Sequence, residues 1–148
     1  MYREILVPTD GSRGSLEAAD HAIDLATTVD AGVHALYVVQ TAVGTDADMA
    51  GVYEAFEEVG QDAVDAVVER AESAGVSTVV GSLAYGSPHE AIREYADEHD
   101  IGLIVMGTHG RTGLDRYLIG SVTEKVVRTA DVPVLTVGVQ SWSDDADS

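Results

Sequence analysis

The sequence predicts an α/β fold: a single doubly wound domain with a five-stranded parallel sheet and four helices on both faces. Short apolar runs rich in β-branched residues alternate with amphipathic stretches of helical period along the chain. Each link between consecutive strands is long enough for a right-handed βαβ crossover. Hydrophobic residues make up 45% of the 148 residues and aromatic ones only 5%, so Val, Ile, Leu and Ala must fill the interior, as in buried parallel sheets. That length suffices for one domain with a sizeable core and falls short of two ordinary ones. The expected domain covers residues 1–140, with a polar tail at 141–148.

The first strand is signalled by Ile5-Leu6-Val7 and closed by the turn formers Pro8-Thr9-Asp10-Gly11-Ser12. Leu16, Ala19, Ala22, Ile23 and Ala26 then recur at helical spacing, which predicts a helix to about Asp30 with Gly32 closing it. Residues 33–39 read as the second strand and residues 41–49 as the one long polar loop. Val52, Phe56, Val59, Ala63 and Val67 mark the inner stripe of a second helix over 52–74, ended by Gly75. Residues 76–83 form the third strand. Ser87-Pro88-His89-Glu90 carries the pattern of a capping box with proline at the first helical position, and the helix after it buries Ala91, Ile92, Tyr95 and Ala96. Leu103-Ile104-Val105-Met106 is wholly apolar, the mark of a central strand. A glycine-rich loop leads to a second predicted capping box at Ser121-Val122-Thr123-Glu124, a helix through Thr129 and a last strand over 132–137, with Val132, Val134, Leu135 and Val137.

The chain carries 26 acidic and 8 basic residues, a formal charge of -18. Such a balance argues against nucleic acid and against an anionic membrane surface as partners. The acids are spread along the chain, as expected of a halophilic protein, because a Debye length of roughly 3 Å at 1 M salt hides each charge from the next. With no cysteine there are no disulfides, thiolate metal sites or cysteine nucleophiles. No segment has the apolar length of a signal peptide core or a membrane span, so the expected location is the cytoplasm.

Ligands of doubly wound sheets bind beyond the carboxyl ends of the strands, which points to residues 8–12 and 107–119. Gly107-Thr108-His109-Gly110 follows the most apolar strand, and nine residues separate Gly110 from Gly120-Ser121. Neither a P-loop nor the dinucleotide fingerprint is present. Two readings of this loop stand. Either the glycines let the backbone approach a phosphate, with helix-start N–H groups and the Ser121 and Thr123 hydroxyls as donors, or they serve tight turns with Ser121 as an N-cap. Asp10 likewise contacts a ligand or caps a turn. Arg111 and Arg116 meet a phosphate or neutralise neighbouring acids such as Asp115.

The spacing G-x-x-G, nine residues, then G-S-V-T resembles the ATP-binding signature of the universal stress protein family. Ile5-Leu6-Val7-Pro8-Thr9-Asp10-Gly11-Ser12, Val105-Met106-Gly107-Thr108-His109-Gly110 and Val132-Pro133-Val134-Leu135 are similar to that family too, so the likeness runs to about Val139. The sheet order then expected is 3-2-1-4-5. The resemblance implies that Pro8, Thr9, Asp10 and Val38 surround an adenosine, Asp10 accepting from the ribose hydroxyls, with Val39 competing for the place of Val38. It further implies Met106 and Gly107 on the base and ribose side, and Gly110, Gly120, Ser121, Val122 and Thr123 on the triphosphate, with Arg111 a candidate phosphate contact. Mg²⁺ or Mn²⁺ would be held through the phosphates and water, not by side chains. Subunits often pair through the last strand, so a homodimer through residues 132–137 is implied. The functional expectation is an ATP-binding stress-response or signalling module; the alternative is a slow ATP hydrolase using the same pocket. Phosphoryl transfer wants a positioned base and cationic stabilisation, and the motif offers only Arg111, Arg116 and the single histidine His109. His21, His34, His89 and His99 have no metal-ligand spacing.

Overall fold

The computed structural model describes residues 2–40, 49–108 and 120–138. Strands β1 (Glu4–Pro8), β2 (Gly32–Val39), β3 (Val79–Tyr85), β4 (Leu103–Gly107) and β5 (Val134–Val137) form one sheet of order β3-β2-β1-β4-β5. Every pairing is parallel, and the order is the expected one. Helices α1 (Arg13–Val29), α2 (Met49–Ser73), α3 (Pro88–Glu98) and α4 (Ser121–Thr129) provide the crossovers.

Period-two alternation divides the strand residues between two cores. Ile5, Val7, Val33, Ala35 and Val105 point to the side of α1 and α2, where they meet Ala18, Ala22, Val64 and Val67. Leu6, Leu36, Ile104 and Met106 point to α3 and α4, against Ile92, Tyr95 and Val126. Both faces are covered, which is why the strands read as continuous apolar runs. Because β1 lies between β2 and β4, the chain leaves the centre of the sheet in two directions and opens a crevice at the carboxyl ends.

Several boundaries differ from expectation for identifiable reasons. Asp30 ends α1 in the left-handed region (φ 59) and donates its N–H to Ala26, while Gly32 is already paired in β2. Gly75 (φ 89) does turn the chain after α2, but the Val76 N–H returns to the Ala71 carbonyl, so Val76 completes the helix end and β3 begins only at Val79. Pro133 has no N–H to give, and β5 starts one residue later at Val134. Neither capping box forms. Ser87 is the N-cap of α3 and Pro88 follows it, yet the Ser87 hydroxyl meets Nδ1 of His89 at 3.2 Å. The N-cap of α4 is Gly120, and Ser121 is the first helical residue. Of the loop expected over 41–49, Met49 already opens α2 and residues 41–48 lie outside the described residues, as does the tail at 141–148.

The inner stripe of α2 is buried only in part. Ala63 and Val67 are buried as expected, whereas Val52 and Phe56 are 40% and 44% exposed. Length explains the difference. A helix of 25 residues spans about 37 Å, and the 8-residue β2 beneath it spans about 26 Å. The helix runs back from the carboxyl end of β2, so its first turns overhang the crevice.

One polar cluster sits at the opposite end of the strands. His34, 6% exposed, is held between Glu4 and Tyr95: Nε2 donates to the Glu4 carboxylate (2.6 Å) and Nδ1 accepts the Tyr95 hydroxyl (2.7 Å). The Tyr95 ring stacks on His99 with centroids 3.8 Å apart. Burial pushes the Tyr95 phenol above its ordinary range; a hydrogen bond from Ser82 pulls it down and the charge of Glu4 pushes it up. A folded-state value above the unfolded one means this group adds stability that is fully present below about pH 10 and lost as pH rises through the folded value. Tyr95→Phe leaves His34 Nδ1 without this donor, and is expected to cost about 1 to 3 kcal/mol at neutral pH. The deficit relative to wild type should shrink above about pH 10. Denaturant unfolding at pH 7 and pH 11 measures both.

Candidate functional site

The crevice holds a cavity of about 480 Å³. Its floor comes from the carboxyl ends of β1, β2 and β4, and its walls from the first turns of α3 and α4 and the overhang of α2.

On the β1 side the loop is locked by its own side chains. The Thr9 N–H continues the sheet to the Leu36 carbonyl (2.8 Å), and the Gly11 N–H donates to Thr9 Oγ1 (3.1 Å). The Ser12 N–H donates to Asp10 Oδ1 (2.9 Å), an Asx turn that sets up Ser12 as the N-cap of α1. Ser15 donates its hydroxyl to the Ser12 carbonyl (2.9 Å) and meets Thr9 Oγ1 at 3.0 Å. The turn reading of Asp10 is therefore observed, and Asp10 lines the cavity as well.

On the β4 side the backbones come close. A Cβ on Gly107 would lie 2.8 Å from the carbonyl oxygen of Gly14, so only glycine lets the first turn of α1 rest on the end of β4. Thr123 donates its hydroxyl to the Gly107 carbonyl (2.8 Å), and the Gly120 N–H donates to Thr108 (2.5 Å). These bonds fasten the start of α4 to the end of β4. The Thr123 hydroxyl hydrogen and the Gly120 N–H are thus used within the protein.

What remains is backbone. The first helical bond runs from Glu124 N–H to the Gly120 carbonyl (2.9 Å), so the N–H groups of Ser121, Val122 and Thr123 have no intrahelical acceptor. Their N-cap residue, Gly120, has no side chain to offer them. All three residues line the cavity, with the positive end of the helix dipole behind them. The same cavity is lined by Leu36, Val38, Ile92 and Met106, which supply aliphatic and thioether carbon. The lining thus offers contacts both to an anion and to an apolar body.

Of the residues read from sequence, Pro8, Thr9, Asp10, Val38, Met106, Gly107, Gly120, Ser121, Val122 and Thr123 all lie around this cavity. Val38 lines it, while Val39 is fully buried on the other side of the strand. His109, Gly110, Arg111 and Arg116 lie outside the described residues. Sequence reasoning missed Ser15, Leu36, Tyr37, Gln40, Phe56, Pro88 and Ile92. Leu36 and Gln40 were reachable, because they share the period-two face of Val38. The described residues contain no cluster of three or more His, Asp or Glu able to hold a metal ion, and no helix among them is long and apolar enough to cross a membrane.

The universal stress protein family model matches residues 1–138. The chain belongs to the universal stress protein family. A relative in Methanocaldococcus jannaschii, universal stress protein MJ0531, is 45% identical over 141 residues, covering 93% of this chain and 82% of that protein. The solved universal stress protein UspA from Lactobacillus plantarum superposes with a TM-score of 0.80 at 30% identity, covering 92% of this chain and 97% of that one. A universal stress protein crystallised in complex with cAMP has a TM-score of 0.75 at 26% identity, with 94% and 99% covered.

Proposed function

We propose that this universal stress protein binds ATP and acts as a nucleotide-dependent stress-response or signalling module. The observation that carries the reading is the pairing, in one cavity, of a helix start whose first three N–H groups have no intrahelical acceptor with a set of apolar lining residues. The polyphosphate takes the α4 end, joined by Gly110 and Arg111; the adenosine lies along Pro8, Thr9, Val38 and Met106, with Asp10 on the ribose. Mg²⁺ or Mn²⁺ is carried by phosphate oxygens and water. A similar protein that holds the adenine nucleotide cAMP supports this ligand class. Binding stands ahead of slow hydrolysis because phosphoryl transfer calls for a positioned base and strong cationic stabilisation, and the glycine motif supplies no lysine and only Arg111 and Arg116 as cations. The protein works in the cytoplasm as a homodimer joined through β5, an edge strand on which Leu135 is 42% exposed.

Protein purified in molar KCl and then denatured is expected to release about one ATP per chain, identified by chromatography and mass spectrometry. An empty protein that also refuses added Mg-ATP overturns the reading. A formal charge of -18 has to accept a polyanion, and salt weakens the repulsion more than it weakens the short N–H contacts. Affinity measured by titration calorimetry is therefore expected to rise with KCl up to molar concentrations. A steady fall to 2 M, with circular dichroism unchanged, would remove the halophilic reading.

A further inference from the structure

We propose that Phe56 is the residue that reads the base of the bound nucleotide, closing over it from the overhang of α2; this rests on the nucleotide reading above. Phe56 is the single phenylalanine of the chain. It lies on the helical stripe that continues through Gly60, Val64, Val67 and Ala71 into the core, yet it is 44% exposed and lines the cavity instead. An aromatic ring left half in water at a cavity rim costs apolar exposure that a ligand's flat face removes.

The placement of the ring is built, not incidental. At Gly60, one turn further on, a Cβ would lie 2.5 Å from the Tyr37 ring, so the backbone of α2 rests directly on that ring. Phe56 stands one turn before this contact, and Phe56 and Tyr37 both line the cavity. The next residue, Glu57, accepts a hydrogen bond from Tyr85 Oη (2.5 Å) and so ties the turn of α2 bearing Phe56 to the end of β3. Tyr37 belongs to the core beneath α1 and α2 and Val38 to the core beneath α3 and α4, so the rim of β2 presents an aromatic side and an aliphatic side to the same space. A planar aromatic base bound in this cavity has Phe56 and Tyr37 as its aromatic neighbours, with the phosphates directed to α4. A ligand lacking an aromatic base gains nothing from this wall.

Mg-ATP affinity by titration calorimetry, together with the NMR shifts of the adenine H2 and H8 protons, tests the assignment on wild type, Phe56→Leu and Phe56→Trp in molar KCl. Wild type and Phe56→Trp are expected to bind alike and to move both protons upfield through the ring current. Phe56→Leu keeps apolar bulk without a ring, and is expected to bind about tenfold more weakly with the upfield shift reduced. Equal affinity and equal shifts in Phe56→Leu, with circular dichroism unchanged, would overturn the assignment while leaving the nucleotide reading in place. Loss of affinity in both variants with no change in the adenine shifts would overturn it as well, by showing a structural role. Wild-type protein that takes up no adenine nucleotide would overturn both together.

Discussion

Ser121→Pro is expected to leave the fold intact and to weaken Mg-ATP binding by about 10- to 100-fold. Ser121 is the first residue of α4, the helical position where proline is best tolerated because its missing N–H has no intrahelical acceptor anyway. Gly120, at φ -57 and ψ 150, already holds the extended conformation that a following proline requires. The substitution therefore deletes one N–H donor from the cavity wall and leaves the helix in place. A hydrogen bond to a charged group contributes about 1.5 to 3 kcal/mol, and each 1.4 kcal/mol is about tenfold in affinity. Ser121→Ala keeps the N–H and is expected to lose less. Calorimetry beside thermal unfolding checks both variants, and wild-type affinity in Ser121→Pro would take the helix terminus out of the binding site.

Gly107→Ala should damage stability and binding together. The added methyl would meet the Gly14 carbonyl oxygen at 2.8 Å and its carbon at 2.9 Å, both backbone atoms that no rotamer change can clear. The first turn of α1 must lift from β4, which strains the Thr9, Ser12 and Ser15 hydrogen bonds that shape the β1 loop. Overpacking of this kind costs about 1 to 3 kcal/mol, and uptake of Mg-ATP is expected to fall below detection at micromolar protein. Gly51→Ala is the internal control: a Cβ there has nothing within 4 Å, and an exposed helical glycine changed to alanine gains about 0.5 to 1 kcal/mol. If the two variants melt alike, the close approach at Gly107 is not a constraint.

The helices and strands were legible because their signals are local. The four residues expected inside α3, namely Ala91, Ile92, Tyr95 and Ala96, are the four buried there, since a 3.6-residue period states which side of a helix is apolar. The loop of residues 8–12 was legible for the same reason, as a cluster of turn formers at the end of an apolar run. Phe56 was misplaced because the period carries no information on where the sheet stops. Ser87 holds the expected N-cap position but its hydroxyl meets His89 instead of closing a box, and Ser121 was misread because α4 begins one residue earlier than expected, with Gly120 as its N-cap. His34, read from spacing as one of several scattered histidines, meets Tyr95 across 61 positions of sequence.

By itself, then, the sequence determined the α/β class, the alternation of strands and helices, the acidic balance of charge and the turn of residues 8–12 after β1, all of which are properties of short windows or of composition. Only the tertiary structure decided that Thr123 fastens α4 to Gly107 instead of facing a ligand, that three backbone N–H groups line the cavity, and that α2 extends an aromatic ring over it. Those features are distances between segments far apart in the chain, and they arise when helices of one length pack on strands of another.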